Sequence, residues 1–214
     1  MLVPRTGRAL GCSFEVDSAC LRLILQKMES EMADDRTTPL YSMLLRVRDS
    51  LKARGDRLVL AESCTAGLVA AEMGGIPGIS EFLCGSMVVY RTPTKQAWLG
   101  ISSDLLENAS IGPVSAQVTL ALAAAILDKT PEATVAAAIT GHLGPFAPPW
   151  MDGQVYCVVV RRGVKSETED VKSLTLSSPP AVDLDDLARR GARQREAAYA
   201  LLSLIETRIG KTDS

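Results

Sequence analysis

The sequence predicts one α/β domain: a three-layer arrangement with a mostly parallel or mixed sheet flanked by helices. Three observations carry that expectation. Short apolar runs at 58–61, 82–90, 134–139 and 154–161 read as strands, and they alternate with longer segments of helical periodicity. Glycine and proline clusters punctuate the boundaries. The 214 residues are 47% hydrophobic, which suffices for one sizeable core plus appendages.

Taken in order, residues 1–38 read as an N-terminal extension. Within it, 18–32 can form an amphipathic helix, with Leu21, Ile24, Leu25, Met28 and Met32 at helical spacing. The domain itself spans 39–210. A helix over 40–54 places Leu44, Leu45, Val47 and Leu51 on one side, and Gly55 closes it. The strand at 58–61 leads into a helix over 65–73, which Gly74-Gly75-Ile76-Pro77-Gly78 terminates. After the strand at 82–90 come short helices at 92–99 and 103–108. Ser115 caps a long alanine- and leucine-rich helix ending at 128. The strand at 134–139 precedes a loop over 140–153. Residues 154–161 alternate in character, 173–176 adds a last strand, and 187–209 is the final helix.

Composition removes several classes of function. A net charge of −2 gives no general attraction to nucleic acid or anionic membranes. No apolar run is long enough to span a bilayer, so a soluble, cytoplasmic protein is expected. The five cysteines are irregularly spaced with no CxxC, which fits free thiols in a reducing compartment. His142 is the only histidine, so a multi-histidine metal site is excluded. Hydrolytic chemistry then needs a carboxylate-bound metal or a non-histidine base such as lysine. The apolar content and the 18–32 segment admit a homodimer.

The residues richest in chemistry are Ala61-Glu62-Ser63-Cys64-Thr65-Ala66-Gly67. At a strand-to-helix turn a Ser63 hydroxyl is accessible, and nearby backbone amides can stabilise an oxyanion or bind phosphate. By itself, though, Ser63 also reads as an ordinary N-cap. Cys64 beside it reads as a structural thiol, since no histidine is near in sequence to make a thiolate. Tyr90 and Lys95 fall at the same end of the sheet. Lys95 can act as a base only if its pKa is lowered; taken singly, the pair also reads as a solvated surface lysine and a half-buried tyrosine. Thr140-Gly141-His142-Leu143-Gly144-Pro145 follows a strand, where open α/β sheets bind ligands. Arg189, Arg190, Arg193 and Arg195 read mainly as a solvated helical face, from which one arginine can reach a phosphate. Asp183, Asp185 and Asp186 suit a helix N-terminus.

Together these segments resemble the CinA C-terminal domain family. Residues 61–67 are similar to its AESCTGG signature. The similarity continues through Ile76-Pro77-Gly78-Ile79-Ser80, Gly85 to Tyr90, Lys95, Leu99-Gly100, Gly112 to Ser115, and Thr140-Gly141 with Gly144-Pro145, over roughly 42–208. The resemblance implies a nicotinamide-nucleotide amidase that releases ammonia from nicotinamide mononucleotide with no metal and no other cofactor. It implies Ser63 as nucleophile, with Tyr90 and Lys95 handling protons. Thr65, Gly67, Thr140, Gly141, Gly144 and Arg193 fall on the substrate side, and the partner is a small nucleotide rather than nucleic acid or membrane.

This sequence also departs from the family. Ala66 stands for the signature's second glycine. His142-Leu143 replaces Ile-Ala, and Phe146-Ala147-Pro148-Pro149-Trp150-Met151-Asp152-Gly153 replaces a glycine-rich loop with a lysine. Those changes leave a second reading: a degenerate member that binds a nucleotide or a protein partner without turnover.

Overall fold

The computed structural model describes residues 38–177 and 186–210. The helix expected at 18–32, together with Asp183 and Asp185, lies outside them. Among the described residues the chain runs α1 (Pro39–Arg54), β1 (Leu58–Glu62), α2 (Leu68–Gly74), β2 (Leu83–Val88), α3 (Thr92–Leu99), α4 (Ser103–Leu106), α5 (Ala116–Lys129), β3 (Val135–Gly141), β4 (Gln154–Arg161), β5 (Lys172–Thr175) and α6 (Asp186–Gly210). Three single turns of 3-10 helix lie at Ile79–Glu81, Pro149–Met151 and Thr168–Asp170.

The sheet is mixed, in the order β2-β1-β3-β4-β5. β1 is parallel to both β2 and β3, because helices carry the chain across between them. The connection from β3 to β4 holds only a 3-10 turn, so β4 returns antiparallel to β3 and β5 pairs antiparallel with β4.

Strand periodicity sorts the core onto two faces. Leu58, Leu60, Val135, Ala137, Ile139, Val155 and Cys157 pack with Met43, Val47, Leu51, Leu201, Leu202 and Ile205 of α1 and α6. The alternate residues Val59, Ala61, Ala136, Ala138, Val158 and Val160 pack with Val118, Leu122, Ala123 and Ile126 of α5. Alanines fill β3 because helices approach both of its faces closely. This is the three-layer α/β domain that the alternating pattern predicts.

Two boundaries differ from the sequence expectation in ways that shape the site. The helix expected from Thr65 starts at Leu68, since Ala66 (φ +53°) and Gly67 (φ +95°) are left-handed and cannot continue a right-handed helix. The loop expected from Thr140 starts at His142, since Thr140 and Gly141 still pair with Tyr156 and Val155 of β4.

Candidate active site

The site is built at the carboxyl ends of the adjacent strands β1 and β3, and the foundation is Glu62. This carboxylate is fully buried at the end of β1. Its Oε2 accepts from the Thr65 hydroxyl at 2.7 Å, the Gly67 amide at 3.0 Å and the Val69 amide at 3.1 Å. Its Oε1 accepts from the Ala70 amide at 3.0 Å and the Ser86 hydroxyl at 2.9 Å. A buried charge is tolerable when this well hydrogen-bonded, and here it also faces the start of α2. The consequence is a rigid turn over 63–67. The Ser63 amide donates to Ile139 O at 3.1 Å and the Ala66 amide to Ser63 O at 3.2 Å. Gln194 of α6 donates to the Thr65 carbonyl at 2.9 Å.

That arrangement corrects one expectation. The amides opening α2 are taken by Glu62, so they are not free to receive a phosphate or an oxyanion. Of the amides from Ser63 to Ala70, those of Cys64 and Thr65 have no carbonyl or carboxylate partner among the described residues.

Ser63, Cys64, Tyr90, Lys95, Gly141 and Gly144 meet at one cleft of about 270 Å³. Pro113, His142, Phe146 and Arg190 complete much of its wall. Lys95 projects from α3 and is only 2% exposed. Its Nζ donates to the Pro113 carbonyl at 2.7 Å. Burial lowers its pKa to about 8, with the neighbouring Cys64 acting weakly in the opposite direction. A usable fraction of the amine is therefore neutral near neutral pH. Burial also lowers the pKa of His142, and Lys95 adds to this while Asp152 opposes it. Burial pushes the Cys64 thiol up to about 12, so Cys64 is a thiol and not a thiolate.

Tyr90 is half exposed at the mouth of the cleft. Arg190 of α6 donates to its hydroxyl at 2.6 Å through Nη2, and to the Gly144 carbonyl through Nη1. One guanidinium thus joins α6, the end of β2 and the loop after β3.

The remaining predicted residues sit behind the cleft. The Thr65 hydroxyl and the Gly67 amide both donate to Glu62. Thr140 is buried, its hydroxyl 2.8 Å from that of Thr119. Arg193 is 2% exposed and clamps Asp152 bidentately at 2.7 and 2.9 Å. Its Nη1 also reaches Leu143 O at 3.4 Å. Asp152 is held below the usual carboxylate range, chiefly by this pairing. A Cβ on Gly144 (φ +65°) would meet Asp152 at 2.9 Å and Arg193 at 3.0 Å, so the loop needs glycine there.

Two site residues escape the sequence reading. Glu62 lies inside the signature with no role assigned to it; an acidic residue ending a strand immediately before a helix start is its signal. Arg190 stands among several helix arginines, and nothing local distinguishes it from Arg189.

The comparisons with known proteins agree with one another. A model of the family described as the CinA C-terminal domain matches residues 41–205. The CinA-like protein of Anaeromyxobacter sp. (strain Fw109-5) is 43% identical over 158 residues, covering 72% of this chain and 34% of that relative. The CinA-like protein of Myxococcus xanthus is 35% identical over 127 residues, covering 58% of this chain and 30% of its own. The chain spans about a third of the length of the curated relatives it matches. The competence damage-inducible protein A of Klebsiella pneumoniae shares the fold with a TM-score of 0.68 at 22% identity, over 81% of this chain and 98% of that one. A competence/damage inducible protein of Agrobacterium tumefaciens gives a TM-score of 0.66 at 23% identity, over 81% and 97%. With the family match running through most of its length, from α1 to α6, the chain belongs to the CinA C-terminal domain family.

Proposed function

We propose that the chain is a nicotinamide-nucleotide amidase that hydrolyses nicotinamide mononucleotide to nicotinate mononucleotide and ammonia. The observation that carries this reading is Lys95: an amine buried in the same cleft as Ser63, with its pKa lowered to about 8. A buried lysine with a lowered pKa, so placed beside a serine hydroxyl, can serve as its general base.

Neutral Lys95 takes the Ser63 proton as Oγ adds to the carboxamide carbon. The Cys64 and Thr65 amides are the turn's remaining donors for the oxyanion. As the C–N bond breaks, the Tyr90 hydroxyl, oriented by Arg190, gives its proton to the departing ammonia, and the Lys95 ammonium returns one to Tyr90. Lys95, neutral again, deprotonates the water that adds to the acyl ester, and its ammonium returns that proton to Ser63 Oγ as the ester C–O bond breaks. Arg190 is the cation at the cleft mouth suited to the phosphate.

Ammonia release from nicotinamide mononucleotide by purified protein in excess chelator tests the reading, with Ser63→Ala as control. Release that vanishes in the mutant supports it. Full release by Ser63→Ala removes the mechanism, and no release from folded wild-type protein removes the activity.

A further inference from the structure

We propose that Phe146 selects the ring of the ligand: its phenyl face covers a planar, positively charged heteroaromatic ring whose carboxamide points toward Ser63. This rests on the amidase reading above and names a residue where the chain departs from the family pattern.

Phe146 lines the same cleft as Ser63, Lys95 and Arg190. It is 99% exposed, so its phenyl group has no packing role within the domain. It also has φ +72°, a left-handed conformation that a bulky side chain rarely adopts. The folded protein thus carries an exposed aromatic ring and a strained backbone at one residue, and among the described residues no contact compensates for either. Strain of that kind marks positions held for a ligand.

The loop around it is anchored. The Gly153 amide donates to His142 O at 2.8 Å, and the Met151 amide to Pro148 O at 2.8 Å. Arg190 holds the Gly144 carbonyl, and the Arg193–Asp152 pair packs against Gly144. Phe146 is therefore presented at a set place.

Charge then narrows the ligand. Among the described residues, those lining the cleft include Lys95 and Arg190 but no Asp or Glu. A cationic ring finds no carboxylate there, whereas the ligand's anionic tail has Arg190. The faces of Phe146 and Tyr90 are what the wall offers a positive ring, and an aromatic face attracts a cation through its quadrupole.

The test uses Ser63→Ala protein, which binds without turnover, and two probes. One is nicotinamide mononucleotide, with a cationic ring; the other is its 1,4-dihydro form, which has the same carboxamide and phosphate on a neutral ring. Dissociation constants are measured by calorimetry with Phe146, Phe146→Ala and Phe146→Trp. The expected result is a loss of about tenfold in affinity for the cationic ring in Phe146→Ala, retention in Phe146→Trp, and little change for the neutral ring. Equal binding of the cationic ring by all three proteins overturns the assignment while leaving the amidase reading in place. So does a Phe146→Ala protein whose mass by light scattering falls while its affinity holds, because the ring then belongs to an interface between copies. No binding by any of the three, with no ammonia release from wild type, removes the amidase reading and this inference with it. Since Phe146 is exposed, its truncation leaves the fold intact, which a thermal melt checks.

Discussion

The Lys95 ammonium donates to the carbonyl of Pro113 across 2.7 Å, and that neutral carbonyl is its hydrogen-bond acceptor in the protein. A carbonyl favours the charged amine far less than a carboxylate does, so burial prevails and the pKa falls to about 8. Activity that depends on neutral Lys95 rises with pH and levels off above about 8. Lys95→Arg, charged at every accessible pH, loses about 10²–10⁴-fold in kcat. A pH profile of ammonia release that is flat from 6 to 9 would sink the assignment of Lys95 as base.

The same residue weakens the fold. An unfolded lysine titrates at 10.5 and the folded one at about 8, so between those values the unfolded chain binds more protons and stability rises with pH. At pH 7 both forms are mainly protonated and nearly the whole penalty is present. Lys95→Met removes it and raises stability by about 1–3 kcal/mol at pH 7, an advantage that shrinks as pH rises through the window. Urea melts of both proteins at pH 7 and pH 9.5 measure this; a less stable mutant at pH 7 contradicts it.

Ser63 and Cys64 are adjacent, and their chemistry separates them. With a thiol pKa of about 12, Cys64 is unreactive toward iodoacetamide at pH 7.5 in folded protein. Activity survives that treatment, whereas Ser63→Ala lowers it to background. Rapid alkylation of Cys64 with parallel inactivation would make the thiol the nucleophile instead.

Glu62→Gln replaces a carboxylate oxygen by an amide nitrogen that donates. Both Glu62 oxygens receive only donors, so one orientation of the substituted carboxamide sets its N–H against the Thr65, Gly67 and Val69 donors and the other against those of Ala70 and Ser86. The expected loss is about 2–4 kcal/mol in stability. The turn over 63–67 also loosens, so kcat falls with little change in KM. Melting and steady-state kinetics check both, and an unchanged midpoint contradicts the role given to Glu62.

Ala66 stands at φ +53°, where the family signature has glycine. An alanine there costs about 1 kcal/mol, and its methyl is exposed, so nothing is lost by removing it. Ala66→Gly is expected to raise stability by up to about 1 kcal/mol, and Ala66→Val to lower it by more than that. Comparing the three denaturation midpoints decides the matter.

Much of this molecule was legible in its sequence because the relevant physics is local. Alternation in 154–161 sends Val155 and Cys157 to one side of the sheet and Val158 and Val160 to the other in any sheet that contains them. The helical stripe of Leu44, Val47 and Leu51 buries one face of α1 in whatever core is present, although its neighbour Leu45 stays partly exposed. Gly100, at φ +68°, ends α3 where a left-handed residue must. The juxtaposition of Ser63, Tyr90 and Lys95 followed from motif register, since Ser63 and Tyr90 lie just beyond β1 and β2 and Lys95 is on the helix that follows β2.

Tertiary structure alone decided the rest, because it depends on groups that meet only after folding. Arg190 joins Tyr90 across 100 residues of sequence, and no periodicity distinguishes it from the arginines beside it. The direction of β4 is fixed by its pairing, antiparallel to β3, where the sequence allowed a mostly parallel or a mixed sheet. The Lys95 pKa falls only because α3 packs the side chain into the protein at 2% exposure, and desolvation is a property of the packed state. Glu62 takes up the amides opening α2 for the same kind of reason: five donors converge on one carboxylate only when β1, β2 and α2 are assembled. Residue type and spacing determined which groups carry chemistry; burial and long-range contact determined which of them are charged, held and open to a ligand.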